Sequence, residues 1–497
     1  MLWLREQRLV KTMPIRMDRI SYERKIRHCR DRRFPAQNLP VESVTIMKID
    51  QLTLTNFKCF EQQTVNLHPQ FTLFAGDNGS GKTSILDGLA VAAGSWLLGV
   101  DGHYSRPIRR HEVRFSAYPS ERAAAAARDP GKIINGAGYQ WEENFPCVVG
   151  ARGSVLGEEL SWKRALNGWP GRTTYREANA LKALAQGLTK GARQRDVLLP
   201  LIAHYDICRL CGIPRDQGLI RDAEPLTDKT GMSRLTGYDL SIDQRLSTKE
   251  FVRWIARQSW IAFQQGGTRS DSFIAVQRAA ASCLPGASGL HFDPMIGEVV
   301  IDLAGSSAQP FNNLSDGQRA MLALVGDLAT KATMLNPHLG AAALDETPGI
   351  VLIDELDLHL HPKWQRRVAA DLKRTFPSLQ FVCTTHSPQI IGELSREEVR
   401  LLHDGRPQLP AVARGADSNW ILDHVMEGAA SETQQARDFK ETVEDALDQA
   451  DLPAARRHIE ALRALLNGDT SSLVELESYL DRLERLAEAP EDDEDDL

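Results

Sequence analysis

Three separated segments of this chain carry groups that suit one another chemically. The run GDNGSGKTS at 76–84 sets Gly76, Gly79 and Gly81 around Asn78, Ser80, Lys82, Thr83 and Ser84. Glycines let backbone N–H groups turn toward phosphate oxygens, and the lysine adds an ammonium at the loop's end. The spacing of Gly76, Gly81, Lys82 and Thr83 predicts a cradle for a nucleoside triphosphate. In it Lys82 reaches the β- and γ-phosphates and Thr83 holds Mg²⁺. The apolar run FTLFA precedes the loop and SILDGLAVAAG comes after it, which predicts the strand, loop and helix that such a cradle needs.

The run IVLIDE at 350–355 reads as a buried strand that ends on two acids. Buried carboxylates require compensation, which a magnesium ion and a water molecule supply. Asp354 is the candidate metal ligand, directly or through water, and Glu355 the candidate base that orients the attacking water. After one helix, LQFVCTTHS predicts another strand, ending at His386. In open α/β sheets ligands bind at this edge, so His386 is a candidate sensor of the γ-phosphate. LSDGQ at 314–318 opens an amphipathic helix. Ser315 and the Gly317 amide suit a cap or an anion site, and a cap alone does not explain the following Gly317 and Gln318. Together the groups point to Mg²⁺-dependent ATP hydrolysis. His359 and His361 form an H-x-H pair for which packing beside the acids is favoured over a metal site. Cys208 and Cys211, with His204 upstream, lack a fourth ligand and read as an apolar strand end rather than a zinc site.

The elements that must position these groups are split along the chain. The expected fold is α/β, a P-loop core in two lobes at 47–100 and 296–410. An insertion at 101–295 separates the lobes. No sustained heptads appear there, so a compact, mostly helical lobe is expected instead of a coiled-coil arm. Within it CVVGARGSVLGEELSWKRAL predicts a β-hairpin and VLLPLIAHYD a buried strand returning to the core sheet. Arg209, just past that strand, reads equally as a surface arginine or as a group facing the nucleotide. Residues 411–486 predict amphipathic helices that pack on the core, on each other or on a second chain.

The loop at 76–84, LSDGQ, the DE pair with the following turn, and TTHS together resemble the ABC-type ATPases of the SMC, RecF and OLD branch. The opening KIDQLTLTNFKCFEQQTVNL is similar to the start of those proteins. The resemblance implies two nucleotide sites formed only when two such domains face each other. It places Ser315, Gly317 and Gln318 against the ATP of the partner, Asp357 in a D-loop at the interface of the two copies, and Lys58 near the phosphates. Asp316 stands where transporter-type signatures carry a glycine, a change familiar in this branch. DELDLHLHPKWQRRV, FPSLQFVCTTHSPQII and ADSNWILDHVM resemble the PtuA-type ATPases of Septu and of retron anti-phage systems. That likeness implies a homodimer or higher oligomer working with a separate HNH nuclease, with phage or retron DNA as a candidate nucleic-acid partner. A RecF-like DNA-repair ATPase is the alternative. An OLD-type nuclease in the same chain is disfavoured, because a Toprim domain does not fit in the residues after the ATPase core.

Composition bounds these readings. At 497 residues, with 42% hydrophobic and 25% charged, the chain suits two or three globular domains. No run approaches a membrane span, no apolar signal core opens the chain, and seven scattered cysteines fit a reducing cytoplasm. The net charge is −7, and the seven acids of the closing EAPEDDEDDL account for it. The remainder is neutral, which is not the footprint of a chain that coats DNA. Residues 487–497 read as an acidic solvated tail. Residues 1–46 hold 11 Lys/Arg against 5 Asp/Glu. They read as a basic extension, either a nucleic-acid arm or a stretch ahead of a true start at Met17 or Met47.

Overall fold

The computed structural model describes residues 47–119, 139–191, 197–207, 233–239, 241–242, 248–284, 286–305, 308–403, 405–416, 418–424, 426, 434–449, 451–466 and 471–488. The basic extension, almost all of the acidic tail, Cys208, Arg209 and Cys211 lie outside the described residues.

The first lobe opens with strands β1 (Met47–Phe57) and β2 (Phe60–Asn66), then β3 (Phe71–Gly76) and helix α1 (Lys82–Ala93). A small hairpin comes next, β4 (Phe115–Pro119) and β5 (Tyr139–Glu143), and then a longer one, β6 (Cys147–Val155) and β7 (Glu158–Leu166). After these lie α2 (Asn179–Gly191), β8 (Leu201–Tyr205), α3 (Thr248–Gln264), α4 (Asp271–Ser282), and strands β9 (Ala287–Asp293), β10 (Glu298–Leu303) and β11 (Gln309–Pro310). The second lobe carries α5 (Asp316–Leu335), β12 (Gly349–Ile353), α6 (Pro362–Thr375), β13 (Leu379–Thr384), β14 (Val399–His403) and β15 (Arg406–Gln408). Helices α7 (Ser418–His424), α8 (Gln434–Asp448), α9 (Leu452–Leu466) and α10 (Ser471–Glu488) complete the order.

The central sheet has the order β15-β14-β3-β13-β12-β8, and all but β15 run parallel. Strands covered on both faces need continuous apolar runs, which is what GIVLI, LQFVCT and LIAHY provide. Every residue of β8, β12 and β13 is buried. A second, antiparallel sheet has the order β2-β1-β6-β7. Its β1 alternates, burying Met47, Ile49, Leu52, Leu54 and Phe57, with a bulge between Ile49 and Gln51. Helix α1 lies between the sheets, packed on β3, β12 and β13 on one side and on β1, β6 and β7 on the other. Its buried Ile85, Leu86, Leu89 and Val91 fill that space. Gln380 of β13 fastens the two sheets: its amide oxygen accepts from Ile49 N at 2.9 Å and its nitrogen donates to Ile49 O at 2.8 Å.

The fold is the expected α/β P-loop core in two lobes joined in one sheet. The β6–β7 hairpin turns on Leu156 and Gly157, both at positive φ, and lies along β1 across eight residue pairs. It is therefore part of the ATPase's second sheet, and the described part of 101–295 is as much strand as helix. β8 sits beside β12 in parallel register, Leu352 opposite His204 and Ile353 opposite Tyr205. Beyond the core, α7 sinks Ile421 into the main hydrophobic cluster. Helices α8, α9 and α10 bury Val443, Ala455, Ile459 and Leu480 among themselves. Arg456 of α9 is paired with Asp481 and Glu484 of α10. No helix among the described residues is long and apolar enough to cross a membrane.

Candidate active site

The phosphate loop grows out of β3 and closes on α1. Gly76, Gly79 and Gly81 all have positive φ, which lets the chain double back within six residues. At Gly81 a side chain is excluded outright. A Cβ there would lie 2.5 Å from the Phe60 ring and 3.0 Å from Cys59 Sγ in the β1–β2 turn. Asp77, Asn78 and Gly79 are exposed, while Ser80 is drawn inward and its buried hydroxyl has no hydrogen-bond partner. Lys82 is buried and folds over the loop, donating to Gly76 O at 2.7 Å and Asp77 O at 2.8 Å. Burial holds its ammonium below the usual lysine range, against the pull of Asp354, Asp77, Glu355 and Asp357. Ser84 lies half-buried, near Cys59 Sγ at 3.9 Å.

The two acids stand where β12 ends. Asp354 accepts from Thr83 Oγ1 at 2.9 Å through one oxygen and from Thr384 Oγ1 through the other. Its backbone N–H donates to Tyr205 O at 2.8 Å. Desolvation raises the Asp354 pKa, the threonine hydrogen bonds oppose that, and Asp206 and Asp87 add to it. Added positive charge at this carboxylate would therefore be favourable. Glu355 leaves the strand at φ 46 with its N–H on Thr384 Oγ1 at 2.7 Å. Thr384 therefore fixes both acids from the neighbouring strand, a role that sequence reading missed. The only sequence sign of it is a hydroxyl at the end of an otherwise apolar run. Asp206, one residue past β8 and near enough to Asp354 to raise its pKa, was missed as well.

Other predicted residues have different surroundings. His386 comes after β13, half-buried, and its backbone N–H donates to Asp357 Oδ1 at 3.4 Å. Asp357 also accepts from Thr385 Oγ1 at 2.5 Å, so its carboxylate is engaged within its own chain. The ammonium of Lys58 sits on Asp87 of α1 rather than being left for phosphate. Arg106 joins the same carboxylate at 2.5 Å and reaches Glu112 at 2.6 Å, completing a buried network under the loop. Against the expected packing beside the acids, His359 is exposed, and His361 caps α6 by accepting from Lys363 N at 3.3 Å.

Ser315, Gly317 and Gln318 lie together at the start of α5, with Ser315 exposed, Gln318 half-buried and Gly317 buried. Ser315 caps α5, with Gln318 N on its hydroxyl at 3.4 Å and Gln318 Oε1 accepting from Ser315 N at 3.0 Å. A Cβ on Gly317 would lie 2.4 Å from His359 O, so this glycine is needed for close packing on the turn after the acids. No hydrogen bond among the described residues joins these three to the phosphate loop.

The residues present fit a magnesium triphosphate. The loop offers an unpartnered Ser80 hydroxyl and a lysine hydrogen-bonded to carbonyls. Beside it lies a buried acid whose charge desolvation disfavours, linked to a threonine hydroxyl. Two family models match segments of the chain, one described as "AAA domain" over residues 51–125 and one as "AAA domain, putative AbiEii toxin, Type IV TA system" over residues 298–392. These are the two lobes that carry the loop and the acids.

The chain is a P-loop ATPase.

The ATPase is 27% identical over 449 residues to the Retron Ec83 probable ATPase of Escherichia coli, covering 77% of each chain. It is 43% identical over 104 residues to the Retron Vc95 probable ATPase of Vibrio cholerae serotype O1 biovar El Tor, covering 20% of this chain and 19% of that one. A third stretch of 133 residues is 35% identical to the Septu protein PtuA of Bacillus mycoides (strain KBAB4), covering 27% and 18%. Among solved structures, the SMC head domain from Thermotoga maritima aligns at 16% identity and TM-score 0.39, covering 73% of this chain and 98% of that one.

Proposed function

We propose that this ATPase is the nucleotide-hydrolysing component of an anti-phage defence complex that acts with a separate HNH-type nuclease. Two copies face each other around ATP, and the state of the nucleotide sets the state of the nuclease. The similarity to a retron ATPase over 77% of both chains supports the defence role. The observation that carries the shared site is the exposed Ser315 cap, which is built like a phosphate-binding surface yet makes no hydrogen bond to its own loop.

In this reading Lys82 exchanges its two carbonyl partners for β- and γ-phosphate oxygens. Backbone N–H groups of Asn78, Gly79, Ser80, Gly81 and Ser84 turn to the phosphates, assisted by the α1 dipole. Thr83 and Asp354 would hold Mg²⁺, which would supply positive charge to offset that of the phosphates. Glu355, fixed by Thr384, orients water in line with the γ-phosphate and takes its proton. His386 senses the γ-phosphate, and Ser315, Gly317 and Gln318 of the second copy close the far side. Asp357 holds the turn after the acids in register with Thr385 and His386. Lys58 acts indirectly, by fixing Asp87 on α1.

Co-expression with an HNH nuclease, should the neighbouring reading frame encode one, tests this. The expected result is a complex that survives gel filtration, whose nuclease activity changes when ATP is replaced by ADP. A nuclease that neither binds nor responds contradicts the defence reading. Ser315→Arg is expected to keep ATP binding and lose hydrolysis; full turnover would contradict the shared site.

A further inference from the structure

His386 sits between two residues whose hydroxyls both reach back toward the turn after the acids. Thr385 Oγ1 donates to Asp357 Oδ1 at 2.5 Å. The buried Ser387 Oγ donates at 2.9 Å to Gln365 Oε1, near the start of α6. The amide nitrogen of Gln365 donates to two carbonyls of that turn, Leu360 O at 3.0 Å and Asp357 O at 3.4 Å. We infer that Gln365 is a positioning residue for hydrolysis. It holds the His386 segment in a fixed place relative to Glu355, so that the γ-phosphate contact and the water-orienting acid act as one unit. The inference rests on the roles proposed above for His386 and Glu355 and names the group that couples them.

The tie crosses the fold. Gln365 and Ser387 are 22 residues apart and belong to different elements, α6 and the segment after β13. The turn itself starts at Glu355, whose carbonyl accepts from Leu358 N at 3.0 Å. Glu355 is thus connected to His386 through the turn's carbonyls, the Gln365 amide and the Ser387 hydroxyl. Asp357 and Thr385 make a second tie on the other side of the histidine. The Ser387 N–H donates to Thr385 Oγ1 at 2.9 Å, which joins the two. One tie alone would let the His386 segment pivot about it, and a tie on each side removes that freedom.

The residue type suits the task. A primary amide carries donor hydrogens and an acceptor oxygen at the same end. A glutamate would set a carboxylate against two carbonyl oxygens, and a lysine could not accept from Ser387. Capping the turn would need only the donor half of the amide, whereas here the acceptor half is used as well, on Ser387. Ser387 Oγ also lies 2.9 Å from Gln389 Oε1, and it accepts from Ile390 N at 3.4 Å at the start of the short helix Pro388–Ile391. Its single proton is therefore shared between Gln365 and Gln389.

Gln365→Leu removes both halves of the tie and nearly keeps the side chain's size, and the test places it in two backgrounds of the full-length protein. In the parent it is expected to lower kcat for ATP by roughly tenfold, the scale of a lost hydrogen-bonded tie. ATP affinity by titration is expected to stay within about twofold of the parent's, because the tie touches no phosphate-loop residue. In His386→Ala, itself slow, the same substitution is expected to cause no further loss, because its effect runs through the histidine. Ser387→Ala cuts the tie from the other end and carries the same comparison where Gln365→Leu folds poorly. Combined with Gln365→Leu it is expected to be no slower than the slower single variant. Parent-like turnover of Gln365→Leu overturns the inference. So does an equal loss with and without His386, or a loss of ATP affinity that matches the loss of kcat, since either makes Gln365 a support of the fold alone. His386→Ala with parent turnover removes the proposed sensor, and the inference falls with it. A slow His386→Ala beside a parent-like Gln365→Leu removes the inference and leaves the sensor standing.

Discussion

Asp327 lies in the middle of α5 and is not one of the phosphate-loop residues, yet its removal is expected to damage the site. Its Oδ2 accepts from Tyr205 Oη at 2.6 Å and from Lys331 Nζ at 2.6 Å, and Lys331 also lies over the Tyr205 ring, 5.5 Å from its centre. The pair is enclosed, with 6% of the Asp327 side chain and 10% of the Lys331 side chain exposed. Asp327→Ala leaves an ammonium buried without its anion, a change that costs about 3–5 kcal/mol. The stranded Tyr205 hydroxyl adds roughly 1–3 kcal/mol, although the two effects share partners and do not sum. Against a domain stability of about 5–15 kcal/mol, that loss is large. It reaches the chemistry because Tyr205 O holds the Asp354 N–H at 2.8 Å. Urea unfolding and ATPase turnover, measured below the variant's midpoint, are the assays. Asp327→Ala is expected to lose several kcal/mol and most of its turnover. The apolar triple variant Tyr205→Phe, Asp327→Leu, Lys331→Met is expected to recover most of the stability, because no charge is left unpaired. A loss below about 1 kcal/mol in Asp327→Ala, on the scale of an exposed pair, or a triple variant as unstable as the single one, refutes the reasoning.

Lys82→Ala is expected to abolish nucleotide binding or nearly so, and isothermal titration with ATP checks it; parent affinity would remove the cradle assignment. Gly317→Ala forces a Cβ toward the His359 carbonyl and is expected to cost about 1–3 kcal/mol, read as a lowered unfolding midpoint. An unchanged midpoint means that the turn yields freely. His204 is fully buried in β8, and burial lowers its pKa to about 4. The unfolded imidazole takes a proton near the usual value of about 6.5, so between those values the unfolded chain binds more protons and stability is lost as the pH is lowered from about 6.5 toward 4. The full span is about 3 kcal/mol on the same linkage. His204→Leu is expected to flatten the midpoint's fall across this window, and identical pH profiles for the two proteins would contradict it.

The core was legible because its signals are local. Continuous apolar runs at β3, β12 and β13 and the glycine pattern at 76–84 each fix a conformation from near neighbours. Partnership across the fold was not legible. VLLPLIAHYD reads as a buried strand, but the hydrophobic pattern does not say that Tyr205 will hold both Asp354 and Asp327. The Cys147–Leu166 hairpin is visible as a hairpin, whereas its place along β1 depends on which sheet edge is open. Lys58 shows the same limit, because a lysine near a phosphate loop and a lysine neutralising Asp87 look alike until Arg106 and Glu112 are brought in from the stretch between α1 and β4. His359 reads in sequence as half of an H-x-H pair packed beside the acids, and its exposure and the contact of its carbonyl with Gly317 are properties of the folded turn.

The most direct measurement is the structure of Glu355→Gln with ATP and Mg²⁺. The variant is expected to accumulate ATP-bound assemblies that hydrolyse slowly. Each triphosphate should lie between Lys82 and Thr83 of one copy and Ser315 and Gly317 of another. ATP contacted by a single chain, with Ser315 open to solvent, would contradict the account.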